Sequence, residues 1–279
     1  MNIWINGEIL SEPKAVINVQ EESVRYGYGL FETIRIYHGN PFLLSRHLER
    51  MHQSTEILGF TPIYPANVIT FAAKKLIHIN RVSDGVLRIL STPDHIWITT
   101  SPQITYEEKI YEKGIHAMIA NTRRNETSPL VRLKTLNYLE NILAKREASS
   151  LNFGEAVFLN TKGYIAEGSV SNIFLIKNYR LITPDLTQGI LPGITRKIVL
   201  ELAHKNHILT KERAITQEEL FDADESFLTN SLMEIMPLVK VDSIQIRNGS
   251  PGAVTQLLHQ QYKQITSDAV PWEQECPQI

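Results

Sequence analysis

Lys134 stands in the run Leu133-Lys134-Thr135-Leu136-Asn137-Tyr138, and thirty-three residues further on Glu167 stands in Ala166-Glu167-Gly168-Ser169. A lysine flanked by Leu133 and Leu136 at the start of a helical pattern is expected to be partly desolvated, and loss of water disfavours the ammonium form. Its amine then becomes a nucleophile able to form a Schiff base with an aldehyde. Glu167 follows the apolar stretch Glu155 to Leu159, a turn at Lys162-Gly163 and then Tyr164-Ile165-Ala166, so its carboxylate falls at a strand end beside a glycine. A carboxylate so placed can keep a ring nitrogen protonated. These two groups are the minimum that pyridoxal phosphate needs to serve as an electron sink.

Leu191-Pro192-Gly193-Ile194-Thr195-Arg196 opens a helix whose apolar members include Ile198, Val199, Leu202 and Ala203. Gly193 permits close approach of the backbone, and the amides of Ile194 and Thr195, backed by the helix dipole, would seat a phosphate. A glycine followed by threonine is equally a common helix cap. Arg50, in His47-Leu48-Glu49-Arg50-Met51, offers a planar fork suited to phosphate, although an arginine there also reads as a solvated helix face. Thr229-Asn230-Ser231 supplies a hydroxyl and an amide after a short apolar strand, or only a polar turn. Taken singly, Glu167 reads as a turn residue and Lys134 as a helix-start charge.

The elements that must hold these groups are legible from periodicity. A hairpin turns at Asn6-Gly7, Phe31 to Tyr37 alternates as a strand, and helices run from Ser45 and over Ala66 to Ile79. Val86 to Leu90 and Ile96 to Thr100 read as paired strands, and the charged stretch from Ser101 to Gly114 reads as a linker. Beyond it come strands at Ile115 to Ala120, Glu155 to Leu159, Ile173 to Ile176 and Arg180 to Thr183. Helices cover Leu136 to Ser149 and Ile194 to Asn206, with shorter ones near Gln217 to Phe221 and Val254 to Thr266. Segregated strands and helices predict an α+β chain: a small α/β N-terminal domain over 1–105 and a larger strand-rich domain over 106–279 carrying Lys134. Pro271 to Ile279 is expected to be a loosely held tail.

Composition narrows the function classes. At 279 residues with 43% hydrophobic and 21% charged side chains, the chain can bury one large core or two medium ones. A net charge of −2, with no basic half, argues against nucleic acid or an anionic membrane as partner. Cys276 is the lone cysteine, which excludes an internal disulfide and a cysteine-based metal site, and nothing calls for a metal. No apolar stretch approaches the roughly 18 residues of a membrane span. The N-terminus lacks the features of a secretion signal, so the cytoplasm is the expected compartment.

Together these fragments resemble, in order and spacing across nearly the entire chain, the fold type IV pyridoxal-phosphate enzymes: branched-chain aminotransferase, D-amino-acid aminotransferase and 4-amino-4-deoxychorismate lyase. The matching segments are Tyr26 to Arg35, His47 to Arg50, Lys134 to Tyr138, Glu167 to Asn172, Leu191 to Arg196 and Asn230 to Pro237. The resemblance implies a two-domain fold with a strand-rich pseudo-barrel as its second domain, a homodimer, and a cofactor held between the domains of a subunit. It makes Lys134 the Schiff-base lysine and proton shuttle, and Glu167 the carboxylate on the pyridine nitrogen. Arg50, the Gly193-Ile194-Thr195 turn and Ser231 become phosphate ligands, Leu191 packs on the ring face, and Tyr138 meets the ring hydroxyl.

Tyr26, Phe31, Thr33 and Arg88 fall where relatives line the substrate side. Thr33, the run Pro41-Phe42-Leu43-Leu44, Arg123-Arg124-Asn125 and Ala144-Lys145-Arg146-Glu147 look most like aminodeoxychorismate lyase. The Phe-Glu-Gly and the Gly-Gly pair frequent in branched-chain aminotransferases are absent. Such a lyase takes a small-molecule substrate with two carboxylates, for which Arg25, Arg35, Arg88 and Arg124 are candidate cations. It releases pyruvate and leaves 4-aminobenzoate, a folate precursor. An aminotransferase for branched-chain or D-amino acids is the alternative, and a cofactor-free binding protein on the same fold is a third.

Overall fold

The computed structural model describes residues 1–102 and 106–267, so the expected tail at 271–279 lies outside the described residues. The described chain forms two compact units. The first gathers 1–102, 134–137 and 265–267; the second gathers 106–133 and 138–264. Among the described residues no helix is long and apolar enough to cross a membrane.

The first unit is built on an antiparallel sheet in the order Glu8–Ser11, Asn2–Ile5, Ile96–Ser101, Gly85–Ser91, Leu30–Tyr37, Asn40–Pro41. Its opening hairpin turns at Asn6 and Gly7, both with positive φ. Along Leu30–Tyr37, Leu30, Ile34 and Ile36 are buried while Phe31, Thr33 and Arg35 are half-buried, the period-two signature of a sheet covered on one face. The helices Leu44–Leu58 and Ala66–Ile79 supply that cover, burying Leu48, Met51, Leu76 and Ile77.

The second unit carries a longer, curled sheet. Its order is Thr210–Glu212, Arg180–Thr183, Asn172–Lys177, Glu225–Asn230, Glu234–Val241, Ile115–Arg124, Glu155–Asn160, Ile165–Gly168. Ile165 N donates to Ile215 O at 2.8 Å, just past Thr210–Glu212, so the first and last members of that order come close. Glu155–Asn160 is buried at every position, and Asn172–Lys177 and Glu225–Asn230 nearly so, which explains the unbroken apolar stretches Ala156 to Leu159 and Ile173 to Ile176. Ile115–Arg124 and Glu155–Asn160 are parallel, and the connection between them carries the helix Leu139–Ser150.

Three expectations need correction. The presumed linker contains a helix, Glu108–Lys113, because Ile110 and Tyr111 pack on the second core and leave the charged residues outside. The helix expected from Leu136 begins at Leu139. Lys134–Asn137 belongs with the first unit rather than the second, because it pairs with the backbone of Gly29–Phe31.

Candidate active site

In the first unit Lys134 is held by strand pairing. Phe31 N donates to Lys134 O and Leu136 N to Gly29 O, each at 2.9 Å, and Leu30 and Thr135 form an antiparallel bridge. Gly29 has to be glycine, since a β-carbon there would meet Leu136 Cδ1 at 2.8 Å and Ser91 O at 2.9 Å. Asn137 closes the segment by donating Nδ2 to the carbonyl of Gly27, a residue with φ of +67°. Lys134 is therefore an added strand residue and not a helix-start charge. Its Nζ stands 4.1 Å from the centroid of the Phe31 ring.

Phe31, Thr33 and Arg35 share the uncovered face of the sheet. Arg88 is registered opposite Thr33, and Arg35 stands one pair further along, opposite Val86. Directly opposed residues point to the same face, so the two arginines are diagonal neighbours, roughly 7–8 Å apart at the backbone. Neither has an acidic partner among the described residues. Arg35 Nε is buried with no hydrogen-bond partner there. Tyr26 ends a short helix, 59% exposed, with the Arg25 guanidinium 4.9 Å from its ring centroid.

Arg50 is not the solvated helix residue that its spacing permits. It donates Nε to Glu32 Oε1 at 2.8 Å and Nη2 to Glu32 Oε2 at 2.6 Å. His47 Nδ1 lies 2.7 Å from the same Oε2. Burial alone would raise the Glu32 pKa, but the charge of Arg50 and the hydrogen bonds from His47 and Arg50 outweigh it and hold the carboxyl at about 2. Burial pushes the imidazole of His47 down from its ordinary value.

In the second unit Glu167 is buried, and its Oε2 accepts from Leu191 N at 2.9 Å and Asn172 Nδ2 at 3.2 Å. Arg124, expected among the substrate cations, is itself buried and lies with Nη2 3.7 Å from Glu167 Oε1. It donates Nη1 to Glu140 at 2.6 Å, and its guanidinium lies 4.2 Å from the Phe158 ring centroid. Arg123, next to it on the strand, is exposed, as are Asn121 and Thr122 before it. Tyr138 donates its hydroxyl to Ser169 O at 3.3 Å, and Asn141 Nδ2 donates to the same carbonyl at 2.7 Å.

Gly193 caps the helix Ile194–Lys205 and, having no side chain, makes no capping bond to the first amides. A β-carbon on Gly193 would lie 1.9 Å from Asn172 Oδ1. Thr195 is buried at this helix start. Across the sheet, Thr229 is registered with Asn172, and its buried Oγ1 has no hydrogen-bond partner among the described residues. Ser231 follows in a turn fixed by Asn230, whose Oδ1 accepts from Leu232 N and Met233 N at 2.8 Å.

Uncapped helix amides beside a glycine cradle, and an orphaned hydroxyl close by in sequence to Ser231, fit a phosphate; a buried carboxylate with one oxygen taken up by Leu191 and Asn172 fits a protonated ring nitrogen. The residues thus fit pyridoxal phosphate. Sequence reading missed Glu32, His47, Asn141 and Asn172. A glutamate at a buried phase of an alternating strand, and a histidine three residues before Arg50 on one helix face, were the available signals.

Residues 29–241 match the amino-transferase class IV family. The chain is 31% identical over 281 residues to the branched-chain-amino-acid aminotransferase of Escherichia coli, covering 93% of this chain and 91% of that one. It is 32% identical over 274 residues to the aminodeoxychorismate lyase of Bacillus subtilis, covering 94% and 93%. The crystal structure of the Escherichia coli branched-chain aminotransferase matches with a TM-score of 0.90 at 30% identity, over 95% of this chain and 94% of that one. A further solved branched-chain aminotransferase, 25% identical with a TM-score of 0.90, holds pyridoxamine 5'-phosphate. The chain belongs to the class IV amino-transferase family, the fold type IV enzymes that use pyridoxal phosphate.

Proposed function

We propose that this enzyme is a 4-amino-4-deoxychorismate lyase, a cytoplasmic homodimer that eliminates pyruvate from its substrate to leave 4-aminobenzoate. The observation that carries the reading is the pair Arg35 and Arg88 beside Thr33, on the sheet face where Lys134 Nζ stands over Phe31. Two adjacent cations with no acidic partner among the described residues suit a substrate with two carboxylates. Thr33, where branched-chain aminotransferases more often have glycine, and the similarity to the Bacillus subtilis lyase favour the cyclic substrate.

In this reading Lys134 Nζ would hold the cofactor through its aldehyde and would be the base for the proton on the substrate carbon that bears the amine. Glu167 holds a proton at the ring nitrogen, and Arg124 and Asn172 keep its carboxylate in place. Leu191 packs on the ring face and Tyr138 orients the ring hydroxyl. Arg50, the amides of Ile194 and Thr195, and Ser231 hold the phosphate. The bound cofactor supplies an electron sink for the elimination. Aromatisation of the product drives the step.

A second reading, an aminotransferase for branched-chain or D-amino acids, is favoured by the Escherichia coli relative and by 30% identity over 268 residues to the D-alanine aminotransferase of Bacillus licheniformis. The two differ in what completes a turnover. Supplied with enzymatically made aminodeoxychorismate and no keto acid, the protein is expected to release pyruvate and 4-aminobenzoate in equal amounts. Branched-chain amino acids and D-alanine should react only slowly, because a site shaped for a cyclic dicarboxylate orients them poorly. No pyruvate, together with rapid amino-group transfer from one of those amino acids to 2-oxoglutarate, would establish the second reading instead. Light scattering tests the dimer.

A further inference from the structure

Glu32 is the deepest ionisable group in the Arg50 cluster, 1% exposed, at a position where the alternation of Leu30, Ile34 and Ile36 calls for an apolar side chain. A carboxylate persists in such a place only when its lone pairs are taken up. Here they are taken up by two residues three apart on the helix Leu44–Leu58, His47 and Arg50. The Arg50 contact is the two-point fork that fixes the plane of a guanidinium. It consumes the side-on edge, Nε with Nη2, and so turns the end-on edge, with Nη1, away from Glu32.

His47 is 2% exposed and neutral near pH 7, and since the ionised Glu32 can only accept, Nδ1 carries the proton. A neutral donor braces the carboxylate without competing for its charge. The Lys134 ammonium is close enough to His47 to help keep the imidazole uncharged.

We propose that Glu32, braced by His47, is a positioning residue that holds the Arg50 guanidinium in the plane in which its end-on edge meets the cofactor phosphate. The inference rests on reading Arg50 as a phosphate ligand. A free arginine side chain loses several rotatable bonds on ordering; one already clamped has lost them before the phosphate arrives. Glu32 then acts on cofactor binding without touching the cofactor.

The test compares pyridoxal phosphate with pyridoxal, which has the aldehyde and ring but no phosphate. The full-length protein, freed of cofactor, is titrated with each while the absorbance change on binding is followed. Glu32→Gln is expected to weaken pyridoxal phosphate about tenfold or more and to leave pyridoxal unchanged. In an Arg50→Ala background, Glu32→Gln should cause no further loss. Equal weakening of both ligands, or an additive loss on top of Arg50→Ala, overturns the inference in favour of a merely structural Glu32. If Arg50→Ala itself fails to discriminate between the ligands, the phosphate role of Arg50 is wrong, and the inference goes with it. Should Glu32→Gln not fold, Glu32→Asp keeps the charge but shortens its reach by one methylene. It carries the same comparison with the same two outcomes.

Discussion

Asn172 Oδ1 occupies the place where a β-carbon on residue 193 would have to stand, 1.9 Å away. The same asparagine donates to Leu191 O at 2.9 Å and to Glu167 Oε2 at 3.2 Å. One side chain therefore couples the helix start to the carboxylate expected on the ring nitrogen. Gly193→Ala has to displace Asn172, at a cost of about 1–3 kcal/mol for overpacking. Both the amide seat and Glu167 should loosen with it. The rise in Tm on adding cofactor should shrink markedly in the variant, and an undiminished rise would contradict the coupling.

Glu167→Gln is nearly isosteric and keeps an oxygen for Leu191 N. The variant should fold and bind cofactor while losing on the order of 100-fold or more in turnover, because a neutral amide no longer holds the ring proton. Turnover near the wild-type rate would remove Glu167 from the chemistry.

Arg124 gives the complementary prediction. Its guanidinium is buried beside Glu167 and bonded to Glu140, so Arg124→Gln should act through Glu167 rather than through substrate affinity. The expected signature is a fall in kcat with KM for substrate little changed. A raised KM at constant kcat would return Arg124 to the substrate cations.

The acid limb of stability follows from two depressed pKa values that act in one direction. Glu32 is held at about 2 against an ordinary 4.5, so its contribution is complete above pH 4.5 and is lost as pH falls toward 2. A shift of that size corresponds to about 3 kcal/mol. His47 is depressed below 6.5, so the unfolded chain takes up its proton first and stability declines as pH falls from 6.5. Urea unfolding between pH 7 and 3 should therefore give a falling free energy, with a shallower fall in Glu32→Gln. Parallel slopes would contradict the assignment.

Much of this was legible in the residues and some was not. The helix Ala66–Ile79 and the strand Arg180–Thr183 follow from periodicity alone because each has one covered face or one buried run bounded by turn residues. The local structure of Lys134 was misread, since the apolar flanks Leu133 and Leu136 fit a helix start as well as an added strand. What decides is Gly29, far off in sequence, whose lack of a side chain admits Leu136. Arg124 was misplaced for a related reason. Adjacent arginines on a strand face opposite ways, and only the partner strand says which one is buried. Glu32 carried a signal, a charge on the buried phase of a strand, that becomes meaningful once His47 and Arg50 are known to face it.

Borohydride reduction of the cofactor-loaded protein, followed by proteolysis and mass mapping, tests the central claim most directly. The account predicts a single pyridoxyl group on the peptide containing Lys134. It also predicts that Lys134→Ala retains cofactor through the phosphate seat yet carries no label after reduction. A label on another lysine, or a Lys134→Ala protein that is still labelled, would contradict it.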